Sequence, residues 1–137
     1  MSRYLGRTGR ETRVLLDLVV TEPTAGVTVI AVIGELDMSS APRLREAIIA
    51  AATRHRPGIV LDLSGVDLLD PTGLGVIFDG VKRTRALGGD LVLCGLAPHV
   101  RRDLDLLRVS EILEVLDTLE SATRTLTPGT PHDPGVA

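Results

Sequence analysis

IVLDLSGVDLLDPTGLGVIF, Ile59 to Phe78, is the stretch that decides the fold. Its first part is a compact aliphatic run that predicts a buried strand over 59–64. Leu68-Leu69 then meets Asp70-Pro71, a side-chain acceptor followed by a residue without an N–H, which is the signature of a helix start. Leu74, Ile77, Phe78 and Val81 recur at helical spacing until Gly88-Gly89 stops them. A buried strand running into an amphipathic helix is half of a β–α–β unit, and such units build parallel sheets.

The same signals repeat in both directions. Downstream, DLVLCGL (90–96) predicts the next strand, and Pro98 opens a third helix with Val100, Leu104 and Leu107 on one face. EILEVL (111–116) predicts a last strand, and Asp117 to Glu120 resembles a capping box before a final helix ending near Leu126. Upstream, Ala41, Leu44, Ala47, Ile48 and Ala51 predict a helix from Ser39 to Arg54, with Ser39 or Ser40 as N-cap and Pro42 in its first turn. VLLDLVV (14–20) and VTVIAVI (27–33) flank a turn at Pro23 and Gly26 and read as a hairpin. The order β-β-α-β-α-β-α-β-α predicts an α/β fold: a mixed, mainly parallel sheet with an antiparallel element at its start and about four helices against it.

The tails differ from this body. Residues 1–13 carry Arg3, Arg7, Arg10 and Arg13 against Glu11 and predict a flexible basic N-terminal arm. Residues 127–137, TPGTPHDPGVA, are too rich in proline and glycine to pack and predict a disordered tail. One domain, 14–126, lies between them.

Composition excludes several classes of function. A net charge of −3 and only Tyr4 and Phe78 as aromatics argue against nucleic-acid binding, which needs a basic face or stacking rings. No apolar run approaches the ~20 residues that cross a bilayer, so no membrane is expected. The single cysteine, Cys94, cannot form an internal disulfide, and the expected location is cytoplasmic. Cys94 lies in an apolar strand, where a buried thiol is inert, and His55, His99 and His132 have no metal-ligand spacing. Asp62, without a lysine or nucleophile beside it in the sequence, reads as structural, and Lys82, Arg83 and Arg85 read as a solvated helix edge. Without a nucleophile–base pair, a carboxylate pair or a metal set, the chain is expected to be no enzyme and to hold no cofactor.

In parallel sheets, sites lie where strands end and helices begin. Two such loops stand out, GELDMSS (34–40) and LLDPTGLG (68–75). Structural needs explain most of the second: Asp70 caps, Pro71 suits the first helical position, and Gly73 and Gly75 allow close packing. A helix start also collects unpaired N–H groups and positive dipole and so accepts a phosphate.

From about Val14 to Leu126 the chain resembles the STAS domains, and among them the stand-alone anti-sigma-factor antagonists of bacteria. The likeness rests on GELDMSSAPRLREAI (34–48), on the long block from Ile59 to Leu107, and on their order. It implies a sheet with helices packed mainly on one side, and a protein that regulates transcription by partner switching. The unmodified antagonist binds an anti-sigma factor, a GHKL-type serine kinase, and so frees the sigma factor. Phosphorylation of a hydroxyl in a D-S-[ST]-G-L motif blocks that binding, and a phosphatase restores it. Carried onto this chain, the contact residues are Asp37, Asp70, Pro71, Thr72, Gly73 and Gly75, and a monomer or weak homodimer is expected. Asp37→Ala, at a surface position, is expected to change stability by no more than about 0.5 kcal/mol.

The pattern breaks at the position that matters most. Pro71 stands where the family has its acceptor serine, leaving Thr72 as the candidate phosphoacceptor. Either the acceptor has moved to Thr72, or the protein binds constitutively, or it is a divergent STAS module that binds a small anionic or nucleotide ligand at the same helix start. Loss of the switch is the favoured reading, because a kinase needs its acceptor within hydrogen-bond reach of the catalytic base. Arg108 is a second departure, standing where the family commonly ends its third helix with glycine.

Overall fold

The computed structural model describes residues 2–5 and 16–127. Its elements run β1 (Ser2–Leu5), β2 (Leu16–Thr24), β3 (Val27–Leu36), α1 (Ala41–Ala51), β4 (Gly58–Leu69), α2 (Pro71–Ala86), β5 (Asp90–Cys94), α3 (Pro98–Leu106), a 3-10 turn (Val109–Glu111), β6 (Val115–Leu116) and α4 (Leu119–Leu126). The strands lie side by side in chain order. β1, β2 and β3 are antiparallel, and β3 to β6 are parallel, the mixed sheet that the sequence predicts.

Period-two alternation fills the two faces of the sheet differently. On β3, Ile30, Val32 and Leu36 face one core with Leu61, Leu63, Leu91 and Leu93. Leu44 and Ile48 of α1, Leu74, Ile77 and Val81 of α2, and Leu104 of α3 close that face. Val27, Val29, Val60, Val92 and Cys94 point the other way and meet Ala122 and Leu126 of α4. Three helices on one face and one on the other agree with helices mainly on one side. Burial pushes the Cys94 thiol up to about 12, with the nearby Asp62 charge adding to it, so the thiol stays protonated.

Three expectations need correction. Ser2–Leu5, read as part of a flexible arm, pairs antiparallel with β2, whose outer edge offers a row of unpaired backbone groups. Residues 6–15 and the tail beyond Thr127 lie outside the described residues. β4 does not end at Ser64 but runs to Leu69, because two register shifts against β3 each insert a residue and keep pairing alive. The run EILEVL contributes only Val115–Leu116 to the sheet. Arg108 takes the left-handed conformation (φ 56°, ψ 31°) at the end of α3, and a 3-10 turn follows that buries Val109 and leads to buried Leu113.

The long β4 is what positions the site. Its end lies beside the end of β3, with Glu35 opposite Leu68 and Leu36 opposite Leu69. β3 then leads through residues 37–40 into α1, and β4 leads through Asp70 alone into α2.

Candidate functional site

α2 starts where Asp70 provides an acceptor. Its Oδ1 accepts from the Gly73 N–H at 2.9 Å, and its own N–H donates to the Leu36 carbonyl at 3.0 Å. Pro71 occupies the first helical position, as the sequence predicts. Gly73 is buried because nothing larger fits: a Cβ there would lie 2.7 Å from Leu36 Cγ and 2.9 Å from Leu36 O. Leu36 is fully buried, so it has no free space to retreat into. Gly75 differs from the expectation of close packing, since a Cβ there would meet nothing within 4 Å. Pro71 and Thr72 are exposed.

α1 starts differently. Ser40 holds the N-cap position but its side chain caps nothing. Its buried hydroxyl donates to the Glu35 carbonyl at 2.6 Å and accepts from the Asp37 N–H at 3.0 Å. Asp37 does the capping instead. Its Oδ1 accepts from the Ser39 and Ser40 N–H groups at 3.0 and 3.1 Å and from the Ser39 hydroxyl at 2.8 Å, and its carbonyl accepts from Ala41 N–H at 2.8 Å. These bonds, the Ser39 hydroxyl first, hold its carboxyl below the ordinary value of 3.8. Asp37 is therefore part of the loop's framework, so a larger stability cost of its loss is expected than a surface position alone implies.

The two loops form one surface because Gly73 lets α2 abut Leu36, the residue before Asp37. Pro71, Thr72, Met38 and Glu35 are exposed on it, with Asp37 and Asp70 half-buried between them. Met38 is 74% exposed and Leu68 is 48% exposed, and Ile33 at 44% extends the apolar character onto the sheet face that α4 leaves open. Sequence reasoning missed all three. Ile33 and Leu68 sit inside apolar runs that read as core, and Met38 belongs to no periodic pattern; only the register at the strand ends reveals their exposure.

Both helix starts are satisfied from within by a carboxylate. An anionic ligand at α2 would have to displace Asp70 from Gly73 N–H, against the charge of Asp70 itself. Among the described residues no group of three His, Cys, Asp or Glu side chains could hold a metal ion, and no helix is long and apolar enough to cross a membrane. His99 Nε2 makes a 2.7 Å hydrogen bond with the Asp67 carbonyl, fixing the start of α3 to the end of β4. Arg85 is not merely solvated: it pairs with Asp90 at 3.1 Å and donates to the Ile112 carbonyl. The arrangement is suited to contact: an exposed threonine hydroxyl and an exposed thioether on a stiff, twice-capped base.

Comparisons with known proteins agree with this fold. The STAS domain signature matches residues 19–122. The chain is 38% identical over 88 residues to the anti-sigma-B factor antagonist of Listeria monocytogenes, covering 63% of this chain and 75% of that one. It is 32% identical over 93 residues to the anti-sigma F factor antagonist of Paenibacillus polymyxa, covering 67% and 80%. Among solved structures, an anti-sigma factor antagonist from Mycobacterium paratuberculosis superposes with a TM-score of 0.72 at 30% identity, covering 81% of this chain and 93% of that one.

Proposed function

The chain belongs to the STAS-domain family, and from that premise we propose that it is an anti-sigma-factor antagonist whose contact surface is the pair of loops at the ends of β3 and β4. Its partner is an anti-sigma factor of the GHKL serine-kinase type, and binding frees the sigma factor. The observation that carries this reading is the Gly73–Leu36 contact. It sets the Asp37 loop and the Thr72 helix start side by side, with Met38 and Leu68 exposed around them. An exposed apolar centre rimmed by carboxylates is the composition of a specific protein contact.

The usual switch is lost in this protein. Pro71 has no hydroxyl to accept phosphate, and Thr72 lies one residue further along α2. That step turns a side chain by about 100° around the helix axis and moves it by about 1.5 Å. A kinase base aligned on residue 71 does not reach it. The protein therefore binds constitutively, and a phosphatase has nothing to restore at residue 71.

Titration of a purified GHKL-type anti-sigma factor into the wild type and into Thr72→Glu tests the site. A carboxylate at the second helical position favours the helix dipole, so folding stability should be unchanged or slightly higher. Affinity should fall tenfold or more, because the charge enters the contact beside Asp37 and Asp70. Equal affinity for both proteins would place the contact elsewhere.

A further inference from the structure

The face of α2 that begins at Thr72 continues through Val76, Asp79, Arg83 and Leu87, residues three or four apart and so on one side of the helix. α1 turns Arg45 and Ile49 toward it. Between the two helices lies an open groove of about 510 Å³. Ile49, Val76 and Leu87 form its apolar part, with Ile49 and Leu87 37% and 40% exposed. Arg45, Lys82 and Arg83 line it as exposed cations, and Asp79 is its one acid. Among the described residues none of the three cations makes an ion pair, as is also true of Arg43, Arg56, Arg102 and Arg108; what sets the three apart is that they converge on one apolar groove. A positive lining is out of character for a chain of net charge −3.

We propose that this groove docks an acidic, amphipathic segment of the anti-sigma factor, extending the contact from Thr72 along α2. The inference rests on the contact surface proposed above. Charge complementarity commits the occupant: three unpaired cations flanking apolar side chains select a segment with carboxylates beside an apolar stripe. From Val76 to Leu87 the groove is about 16 Å long, the length of some three helical turns. A small anionic ligand suits it less well. The groove is open, and its floor between the cations consists of apolar side chains, with no convergent polar groups to fix a small molecule's orientation. The groove would fix which anti-sigma factor is recognised, while the loop surface supplies the contact common to all of them.

Affinity of a purified GHKL-type anti-sigma factor for three proteins tests this: wild type, Thr72→Glu, and the double variant Arg45→Glu with Arg83→Glu. The double variant should fold and melt slightly below the wild type, since both side chains are exposed but a carboxylate at residue 83 opposes the dipole in the last turn of α2. It should bind about tenfold or more weakly, and its binding should depend less on salt. Thr72→Glu should keep the wild-type salt dependence. Wild-type affinity and salt dependence in the double variant, with Thr72→Glu weakened, would overturn the groove and leave the loop surface standing. No binding by the wild type would overturn both. If the double variant is weakened and inorganic phosphate at low millimolar concentration, with no anti-sigma factor present, raises the melting temperature of the wild type but not of the double variant, the groove is a small-anion site and the docking inference is wrong.

Discussion

Gly73 and Leu36 touch so closely that a single added methyl group would overlap Leu36 Cγ at 2.7 Å and its carbonyl oxygen at 2.9 Å. Gly73→Ala should therefore push α2 away from the end of β3. Overpacking of this kind costs about 1–3 kcal/mol. It should also weaken anti-sigma-factor binding, because it separates the two loops. Gly75→Ala, where the new methyl group meets nothing, should gain about 0.5–1 kcal/mol from helix propensity. Urea unfolding of the two variants reads the opposite signs directly.

Asp37→Ala removes the acceptor for two N–H groups and a hydroxyl at the start of α1. The expected cost is about 1 kcal/mol, as for other helix-start acceptors. The folded protein holds this carboxyl below its ordinary value, so its contribution is present above that value and is lost as pH falls through the folded one. The gap between wild type and variant should therefore be constant near neutrality and shrink between about pH 5 and pH 2. Denaturation series at several pH values check it, and a gap that widens toward acid would contradict the assignment.

Arg108 adopts a left-handed backbone (φ 56°) that costs a residue with a Cβ about 1–2 kcal/mol. Arg108→Gly removes that cost while giving the unfolded chain more freedom, worth about 0.5–1 kcal/mol in the other direction. A net gain of about 0.5–1 kcal/mol is expected, seen as a higher melting temperature with unchanged partner affinity.

The sequence made the strand-to-helix alternation legible because its stops are chemical: Pro42, Pro71 and Pro98 open helices, and Gly26 (φ 84°) and Gly88 (φ 82°) turn the chain where other residues are strained. What it hid were features without a period. The extra residues that carry β4 to Leu69 break the alternation of SGVDLL, so a strand reads as a loop. EILEVL has the composition of a strand, but the left-handed turn at Arg108 spends its first residues on a 3-10 turn. At the site, Asp70 and Pro71 were readable as a helix start. The role of Asp37 was not, since Ser39 and Ser40 are equally good caps in the sequence and only geometry separates them. The exposure of Met38 and Leu68 also depends on where two strands end relative to each other, which is a property of register.

Pro71→Ser keeps Asp70, Gly73 and the helix start and adds only the missing acceptor oxygen. Its stability cost should be small, about 0.4–1 kcal/mol for the lost proline rigidity, because serine is well tolerated in the first turn of a helix. On the proposed reading the variant should show a switch: binding before incubation with ATP and release after it.

Phosphopeptide mass spectrometry after incubation with the serine-kinase anti-sigma factor and ATP tests the central claim most directly. The wild type should remain in complex and carry no phosphate on the peptide spanning Asp70 to Gly75, while Pro71→Ser should carry one phosphate at residue 71. Stoichiometric phosphate on Thr72 of the wild type, with release of the partner, would contradict the account and show that the acceptor has moved along the helix by one residue.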